Sequence, residues 1–567
     1  MKRSRCAVVI SLFGLLACGE ALPGEGYLIE DDPDVELCVG EVEVPDPALR
    51  AFLEETLPQP EPPEDAPEGE DPPPPVILAQ ELRKLTGLRA TDLGITDLRG
   101  LECAIRLETV GLSGNAITDL SPLEDLAGIR QLELSGNELT DLRSLQGFER
   151  LEVVAIDNNG ITDLSPLASM HTLTAIDAAG NELVDISPLS GLTGLTNLVL
   201  SKNAIQDVSP LAGLTNLVAL SLANNAITSI DALDELTALR YVDLDANEIT
   251  SVAALRGATG LLELEVSGNL LTSLDGVQDK PELIEISANE NRLTSTEGVA
   301  GLGNLVTLSI GGNQISSLAG VETLTSLRRL TLAVNQVDDV SAVQGLPELR
   351  NLDVRENPAL RSVDAVATLP LLGSFAAGGA GQTLDLSGLA GRQVLRAITY
   401  TDAGATSFAV LSGLPTLESF NVAGTPVSAQ NIEQIAAATG LQRLDLANTG
   451  VEDLAPLAGL LDMESLDISG NPLTSVAFVA DWLRLGTLEM QDSGVRTLDG
   501  LEVLEGLNDV DARGSALEDV AGLANNETFR SNDRLRAADT ALDADDCTDI
   551  LVIRSRDGVV ETDVDCP

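Results

Sequence analysis

The sequence predicts an α/β-type repeat solenoid in which each turn of the chain adds one short parallel strand. Two observations support this prediction. Aromatic residues make up only 2% of the chain and hydrophobic residues 44%, which favours a core of many small aliphatic layers. Asparagine also recurs at a fixed interval of 22 residues, the signature of a repeat architecture. The twelve positions are Asn115, Asn137, Asn159, Asn181, Asn203, Asn225, Asn247, Asn269, Asn291, Asn313, Asn335 and Asn357.

The apolar residues around each asparagine divide a repeat into a strand and a return arm. The repeat that contains Asn137 reads Leu132-x-Leu134-x-x-Asn137-x-Leu139-x-x-Leu142-x-x-Leu145-x-x-Phe148-x-x-Leu151. Leu132 and Leu134 are two residues apart, so both face the same side of a strand. The later leucines recur every third residue, which favours an extended or 3₁₀-helical arm. One turn cannot bury its own leucines, whereas stacked turns bury them in a continuous core.

The asparagine side chain suits this position because its amide group both donates and accepts hydrogen bonds. We therefore expect the stacked amides to bridge the backbone of successive turns. Leu93 holds the slot before Asn115, and after Asn357 we place the slot at Gly379, Ala403, Thr425, Thr449, Asn471, Ser493 and Ser515, with two repeats of 24 residues. The prediction is about twenty turns between residues 80 and 525.

This pattern resembles the leucine-rich-repeat family, specifically the 22-residue class of bacterial internalins and phosphatase-regulatory proteins. The resemblance implies a right-handed horseshoe, with the strands on the concave face and 3₁₀ or extended return arms. Residues 44–53 and 82–88 resemble the amino-terminal cap of internalin-like proteins, so we expect a cap over residues 34–79. Residues 526–567 are expected to form a carboxyl-terminal cap, although residues 526–545 fit no repeat.

The first residues predict export. A basic start is followed by an apolar stretch, residues 7–16, that is too short to span a bilayer. Leu15-Leu16-Ala17-Cys18 then resembles the bacterial lipobox, which implies a lipoprotein signal peptide over residues 1–17, lipid on Cys18 and a tether over residues 18–33. An ordinary signal peptide with an incidental cysteine is the alternative. Gly19 follows the cysteine, whereas aspartate at that position favours retention in the inner membrane in the lipoprotein family. For a Gram-negative cell the resemblance therefore implies an anchor in the outer membrane or at the cell surface. Whether the protein faces outward or the periplasm stays open.

The remaining cysteines lie near the two ends of the repeats. They are Cys38, Cys103, Cys547 and Cys566, and none forms a CxxC pair. Disulfides are therefore favoured over a metal site. Residues 58–75 are rich in Pro, Glu and Asp and are interpreted as a disordered insertion within the cap, with an interdomain linker as the alternative.

Charge and motif content exclude several functions. The formal net charge of −56 argues against nucleic acid and anionic membrane surfaces, and it favours cationic or basic partners. The only histidine, His171, has no candidate nucleophile beside it, and the sequence contains no P-loop, GxSxG or HExxH motif. We expect no catalysis, no cofactor and no metal. An activity within residues 526–567 is a disfavoured alternative, since no constellation there meets the requirements of a site.

An acidic row also follows the 22-residue period. It comprises Asp119, Asp141, Asp163, Asp185 and Asp207, and it continues as Ser229, Ser251, Ser273 and Ser295. Stacked carboxylates would suit a ladder of calcium ions, since carboxylates are calcium's preferred ligands. Because serine replaces aspartate as a turn residue but not as a charged ligand, we favour a turn role. The Ser-Pro pairs two residues on, such as Ser121-Pro122, are interpreted as an N-cap followed by proline.

Binding is best placed on the strand residues six, four and two positions before each asparagine, which point away from the core. The densest group there is Tyr241, Asp243, Asp245, Glu263, Glu265 and Glu285, hereafter the concave acidic cluster. An aromatic ring among carboxylates suits a basic or ammonium-bearing ligand, and a generic acidic surface is the alternative. Phe375 is a second large concave candidate, whereas Trp482 falls in a return arm, at the edge of the core.

Together these observations predict non-enzymatic recognition of a protein or surface ligand by a monomeric, internalin-like lipoprotein of the cell envelope. The membrane is contacted only through the lipid anchor. Two alternatives stay open: a passive structural spacer, and a phosphatase-regulatory-like scaffold by analogy of fold. Few residues of the types that dominate tight interfaces lie on the concave face, which separates this chain from internalins that grip host receptors.

Overall fold

The computed structural model describes residues 38–59 and 75–566. The predicted signal peptide, Cys18, the tether and most of the predicted insertion at 58–75 lie outside these described residues. Two compact units divide the chain, one ending at Ile286 and the other beginning at Ser287. None of the helices in the described ranges combines the length and apolar content that a membrane span requires.

Short elements repeat along both units. The strands are β1 (Gly87–Arg89), β2 (Thr109–Gly111), β3 (Gln131–Glu133), β4 (Val153–Ala155), β5 (Ala175–Asp177), β6 (Asn197–Val199), β7 (Ala219–Ser221), β8 (Tyr241–Asp243), β9 (Glu263–Glu265), β10 (Glu285–Ser287), β11 (Thr307–Ser309), β12 (Arg329–Thr331), β13 (Asn351–Asp353), β14 (Ser374–Gly378), β15 (Ala397–Thr401), β16 (Ser419–Asn421), β17 (Arg443–Asp445), β18 (Ser465–Asp467), β19 (Thr487–Glu489), β20 (Asp509–Asp511), β21 (Arg534–Ala537) and β22 (Val559–Thr562). The α-helices are α1 (Pro47–Thr56), α2 (Ala79–Leu82), α3 (Ala429–Ala436), α4 (Ala521–Ala524) and α5 (Cys547–Ser555).

Most return arms contain a 3₁₀ helix, as the leucine spacing predicts. These helices are Leu101–Cys103, Ser121–Leu123, Arg143–Leu145, Ser165–Leu167, Ser187–Gly191, Ser209–Leu211, Asp231–Leu233, Ala253–Gly257, Glu297–Val299, Val321–Thr323, Ser341–Gly345, Asp364–Thr368, Ser387–Leu389, Ala409–Gly413, Ala455–Gly459, Ala477–Val479 and Ala544–Asp546. Their leucines and valines point inward, and Leu123, Leu145 and Leu167 are each 0% exposed.

Strands of the first unit pair in parallel with a register that advances by 22 residues. Leu88 lies opposite Val110, Val110 opposite Leu132, and Leu132 opposite Val154. These four side chains are at most 5% exposed, and the residues on either side of each face away from the core. The leucine-rich-repeat solenoid fold is therefore confirmed.

The second unit has the same architecture, but its register departs from the prediction. Asn351 pairs with Ser374 and Ser374 pairs with Ala397, so two successive steps each span 23 residues. The predicted slot at Gly379 is wrong by one residue. In a strand of period two, such a shift moves a side chain to the opposite face. Phe375 accordingly lies beside Leu352 in the core at 0% exposure, and its prediction as a concave candidate is wrong.

The asparagine side chains bond to the backbone of two turns. The Nδ2 group of Asn137 donates to the Leu112 carbonyl of the preceding turn (3.0 Å) and to the Leu134 carbonyl of its own turn (2.9 Å). Its Oδ1 accepts from the N–H of Ile117 at 3.0 Å. The same three contacts recur at Asn115, Asn159, Asn181, Asn203, Asn225, Asn247, Asn269, Asn313, Asn335 and Asn357, and Asn291 donates to the Ala288 carbonyl.

Other side chains take over this role where asparagine is lost. Gln382 donates from Nε2 to the Asn357 carbonyl at 2.8 Å and accepts from the Gly378 N–H. The Thr425 hydroxyl donates to the Tyr400 carbonyl (2.9 Å) and accepts from the Ala403 N–H (3.1 Å). A hydroxyl therefore reproduces part of the bonding that an amide supplies.

Each repeating aspartate closes a tight backbone turn just before the return arm, which confirms the predicted turn role. Asp119 Oδ1 accepts from the Ser121 N–H at 2.9 Å, and the other four aspartates do the same. Ser229, Ser251 and Ser273 substitute a hydroxyl oxygen as acceptor. The predicted N-cap role of the serine in Ser-Pro is wrong, because the carboxylate two residues earlier is the acceptor and Ser121 Oγ donates back to it (2.8 Å).

Both ends carry a disulfide. Cys38 is bonded to Cys103, which joins the amino-terminal segment to the first repeats, and Cys547 is bonded to Cys566. Parallel pairing continues beyond residue 525, since β21 pairs with β20 and β22 pairs with β21. Ile550 and Ile553 of α5 are both 0% exposed, so this helix covers the end of the core.

Candidate functional site

The concave acidic cluster lies on three consecutive strands of the first unit. Tyr241 pairs with Glu263 across β8 and β9, and Asp243 pairs with Glu265. Alternation sends Val242, between Tyr241 and Asp243, into the core at 2% exposure. The polar members therefore share the opposite face, and the structure brings them together as the register predicts.

Three members form the inner part of the cluster. Carboxylate oxygens of Asp243, Asp245 and Glu265 all lie within 4.8 Å of one another. Asp243 is 8% exposed, accepts from the Ser221 hydroxyl at 2.7 Å and accepts from the Asp245 N–H at 3.2 Å. Burial raises the pKa of Asp243, although its hydrogen bonds act in the opposite direction. Such a trio suits a hard cation or a hydrogen-bonding ammonium or guanidinium group.

Glu263 and Glu285 form the outer part of the cluster. Burial raises the pKa of Glu263, and the negative charge of Glu285 on the next strand raises it further. Tyr241 is partly buried beside Glu263. A cation bound here would relieve the repulsion between the two carboxylates and would lie against the tyrosine ring.

A second acidic position on the same face was missed by the sequence prediction. Asp177 ends β5, and its neighbours in register are the apolar Ala155 and Val199. Burial, together with the charge of Asp157, raises the pKa of Asp177 to about 7. The available signal was its place four residues before Asn181, the position that Asp243 holds before Asn247.

Small side chains cover the face between these two acidic positions. Ala175, Val199, Ala219 and Ser221 point away from the core, yet each is at most 7% exposed. Strands β5 to β8 are three spacings apart, about 14 Å at ~4.8 Å per strand. The result is a shallow floor of small residues with carboxylates at both ends, Asp177 at one and the concave acidic cluster at the other.

The second unit carries its own acidic row, which the prediction also missed. Asp445, Asp467, Glu489 and Asp511 occupy the same position on β17 to β20. Burial and neighbouring carboxylates raise the pKa of Glu489. At the last member Arg536 contacts Asp511 at 2.5 Å, so the row ends in an internal ion pair.

The remaining singled-out residues have structural places. His171 is exposed at a turn of the return arm. Trp482 is 0% exposed, and its indole N–H donates to the Ala458 carbonyl at 3.2 Å. Neither residue contributes to the concave face, and the lipidation position Cys18 lies outside the described residues.

Comparisons with known proteins agree with this architecture. A model of the leucine-rich-repeat family matches residues 193–249. Among solved structures, the internalin InlF from Listeria monocytogenes strain 4b F2365 is 26% identical, with 75% of this chain and 96% of that chain covered and a TM-score of 0.46. Internalin C2 from the same strain is 31% identical over 40% of this chain and 94% of that chain, with a TM-score of 0.35.

The plant peptide hormone receptor RGFR1, solved in complex with RGF2, is 15% identical over 86% of this chain and 91% of that chain, with a TM-score of 0.51. At that identity the likeness concerns the fold alone. No curated protein matches the chain. The family match, the parallel register and the side-chain ladder together show that the chain belongs to the leucine-rich-repeat family.

Proposed function

We propose that this chain is an exported, non-enzymatic recognition protein of the internalin-like, 22-residue class, which binds a cationic segment of a partner protein on its concave face. The observation that carries the proposal is the inner trio Asp243, Asp245 and Glu265, whose carboxylate oxygens lie within 4.8 Å of one another. Closely spaced carboxylates repel each other, and an incoming guanidinium or ammonium group relieves that repulsion.

The face suggests how such a segment would lie. Two acidic positions, Asp177 and Asp243, are separated by about 14 Å across the floor of small side chains. An extended peptide advances ~3.3 Å per residue, so basic residues about four positions apart would reach both. We therefore propose a partner segment with two basic residues at that spacing.

Long-range electrostatics favour the same class of partner. The net charge of −56 attracts a basic protein from a distance and accelerates its association. Tyr241 is the single aromatic member of the concave acidic cluster, so few hot-spot contacts add to the charge interaction. The affinity is accordingly expected to be moderate and strongly dependent on salt.

The test is a pull-down of envelope and extracellular proteins on the immobilised mature chain at low and moderate salt. A second bait carries Glu263→Lys and Glu265→Lys. A matched control bait carries Asp234→Lys and Glu235→Lys, which make the same change in charge on the exposed return arm of the same unit. A partner retained by the native and control baits but lost from the first variant supports recognition at the concave face.

Two other results would overturn the proposal. Equal loss from both variants would mean that net charge alone holds the retained proteins. Retention of nothing selective by the native bait would favour the passive spacer. Direct titration of the retained partner against the three baits then gives the affinity ratio that the charge reversal produces.

We further propose that the mature chain is a monomer anchored in the outer membrane or at the cell surface through lipid on Cys18. The disulfides Cys38–Cys103 and Cys547–Cys566 support export, since such bonds persist in oxidising compartments. Replacing Cys18 with serine is expected to move the protein from the membrane fraction to the soluble one, and labelling with a fatty-acid analogue should disappear with it. Continued membrane association of that variant would overturn the anchor.

A further inference from the structure

Acidity is distributed unevenly along the chain. Residues 287–403 contain eleven acidic and eight basic side chains, a net charge of −3, whereas the whole chain carries −56. This segment includes β11 to β15 of the second unit. An anionic group approaching it meets far less repulsion than it meets elsewhere on the molecule.

Within this segment, three arginines gather at the side where β12 and β13 begin. We call Arg328, Arg329 and Arg350 the basic edge. Arg328 directly precedes β12, Arg329 is its first residue, and Arg350 directly precedes β13. The backbone N–H of Arg350 donates to the backbone carbonyl of Arg328 at 2.9 Å, so these two residues are immediate neighbours on adjacent turns. Adjacent strands are ~4.8 Å apart, so Arg328 and Arg350 lie side by side, and Arg329 follows Arg328 along the chain.

The basic edge is incompletely neutralised. Glu348 Oε2 lies 4.0 Å from Arg328 Nε and 3.9 Å from Arg350 Nη2, both too long for hydrogen bonds. Arg329 is exposed, and within the described ranges no carboxylate lies within 4.0 Å of its guanidinium group. By contrast, Arg484 on the second unit has Asp462 at 2.7 Å. Arg328 and Arg350 therefore share one loosely held carboxylate, whereas Arg329 pairs with none in the described part of the chain.

Gly373 and Arg396 continue the row beyond Arg350. The Gly373 N–H donates to the Arg350 carbonyl (2.9 Å), and the Arg396 N–H donates to the Gly373 carbonyl (2.8 Å). Gly373 is partly exposed and carries no side chain, so it leaves this position of the row without a charged group. Arg350 and Arg396 lie on either side of Gly373, two strand spacings or about 10 Å apart. Arg396 is paired with Glu418 at 2.5 Å.

We propose that the basic edge, continued past Gly373 to Arg396, binds a short acidic segment of a partner protein. Glu348 already places a carboxylate between two of the guanidinium groups, and a ligand carboxylate at hydrogen-bond distance would complete their bonding. From Arg328 to Arg396 the row spans three strand spacings, about 14 Å, which four or five extended residues cover. A long polyanion is disfavoured because its remaining charges would lie over acidic surface.

This surface differs from the concave acidic cluster in charge, in unit and in ligand, so either proposal can fail alone. The probe is a dye-labelled heptapeptide in which glycine and glutamate alternate, titrated with the intact mature chain at low salt and followed by fluorescence anisotropy. The test variant carries Arg328→Gln, Arg329→Gln and Arg350→Gln. The control variant carries Arg130→Gln, Arg143→Gln and Arg484→Gln, an equal change of charge at arginines that each have a close carboxylate.

We expect at least a tenfold weaker affinity for the test variant and less than a threefold change for the control. A peptide with glutamine in place of glutamate should not bind, and ~0.5 M NaCl should abolish binding by screening. Equal losses in the two variants, or no binding by the native chain, would overturn the proposal. Phosphatidylglycerol vesicles and inorganic phosphate are tested as competitors, and binding of either with equal or higher affinity would contradict a protein ligand. Circular dichroism checks that both variants are folded.

Discussion

Asp46 and Thr96 join the amino-terminal helix to the first repeat through two hydrogen bonds to one carboxylate oxygen. Asp46 Oδ2 accepts from the Thr96 N–H (2.8 Å) and from the Thr96 hydroxyl (3.0 Å). Its other oxygen accepts from the Ala48 and Leu49 N–H groups in the first turn of α1, at 2.9 Å each. Burial acts to raise the pKa of Asp46, but these hydrogen bonds outweigh it and hold the pKa below its ordinary value.

Replacing Asp46 with alanine should therefore undock α1. The variant removes the acceptor of one buried donor, the Leu49 N–H, and of several part-buried ones, so we expect about 2–4 kcal/mol of local stability to be lost. Hydrogen exchange of the α1 amides measures this loss, and Asp125→Ala on an exposed turn is the control. Because the folded-state pKa is lowered, the stabilisation is present above the ordinary carboxyl pKa and disappears as the pH falls through the lowered one. Unchanged exchange in the variant would contradict the role of Asp46.

The asparagine ladder gives a graded prediction. Asn137→Ala removes two donated bonds and one accepted bond, and it should lower the unfolding free energy by about 2–4 kcal/mol. Asn137→Thr should cost less than half as much, since Thr425 already bridges two turns with its hydroxyl. Urea denaturation of the three chains gives the comparison. Equal costs for alanine and threonine would mean that shape rather than hydrogen bonding holds the slot.

Much of the fold was predictable from the sequence because one period controls both the core and the ladder. The positions of Leu132 and Asn137 within one repeat recur in every repeat of 22 residues, so they locate each of those strands. The prediction failed at Phe375, where one extra residue entered a stretch without a ladder asparagine. Nothing in the residue types there distinguishes a step of 23 from one of 22. Gln382 completes the bonding from a position that no fixed spacing indicates.

The candidate site was predictable only in outline. Register brings Tyr241 beside Glu263, as the period predicts. Asp177 was missed because the pKa of a carboxyl group depends on its neighbours, here Ala155 and Val199, rather than on its own residue type. The Ser221 hydroxyl that supports Asp243 was missed for the same reason, since contacts between adjacent turns require the register as well as the sequence.

Lys280 offers a test in alkaline solution. Its side chain is 1% exposed and occupies the position in its repeat that Leu236 and Leu302 occupy in theirs. The ammonium group donates to the carbonyls of Leu255 (2.7 Å) and Ala258 (3.1 Å). Burial lowers the pKa of Lys280 to about 8, although the charge of Asp279 acts to raise it. The charged form is thus disfavoured by folding, and this penalty is complete below pH 8.

Relative to Lys280→Leu, the native chain should therefore gain stability between about pH 8 and the ordinary lysine pKa near 10.5, by up to about 3 kcal/mol. Urea denaturation of both chains across that interval measures the gain. Leu236→Met, a substitution in the equivalent slot without a titratable group, should show a constant difference from the native chain. A constant difference for Lys280→Leu as well would contradict the lowered pKa.

Asp177 gives the corresponding prediction near neutral pH. Its pKa of about 7 lies above the ordinary carboxyl value, so the folded chain binds a proton that the unfolded chain releases. The ionised carboxylate destabilises the fold above pH 7, and the penalty declines as the pH falls from 7 toward 4. Asp177→Asn should stabilise the chain by about 2–4 kcal/mol at pH 8 and by almost nothing at pH 4.

A second variant separates the two causes of this shift. Asp157→Asn removes the neighbouring charge but keeps the burial of Asp177, so the midpoint of the pH-dependent stability should move to lower pH without vanishing. Thermal unfolding of the three chains between pH 4 and 8 gives both midpoints. If the midpoint is the same with and without Asp157, burial alone raises the pKa of Asp177. If Asp177→Asn gives the same stability gain at pH 4 as at pH 8, packing rather than ionisation accounts for it.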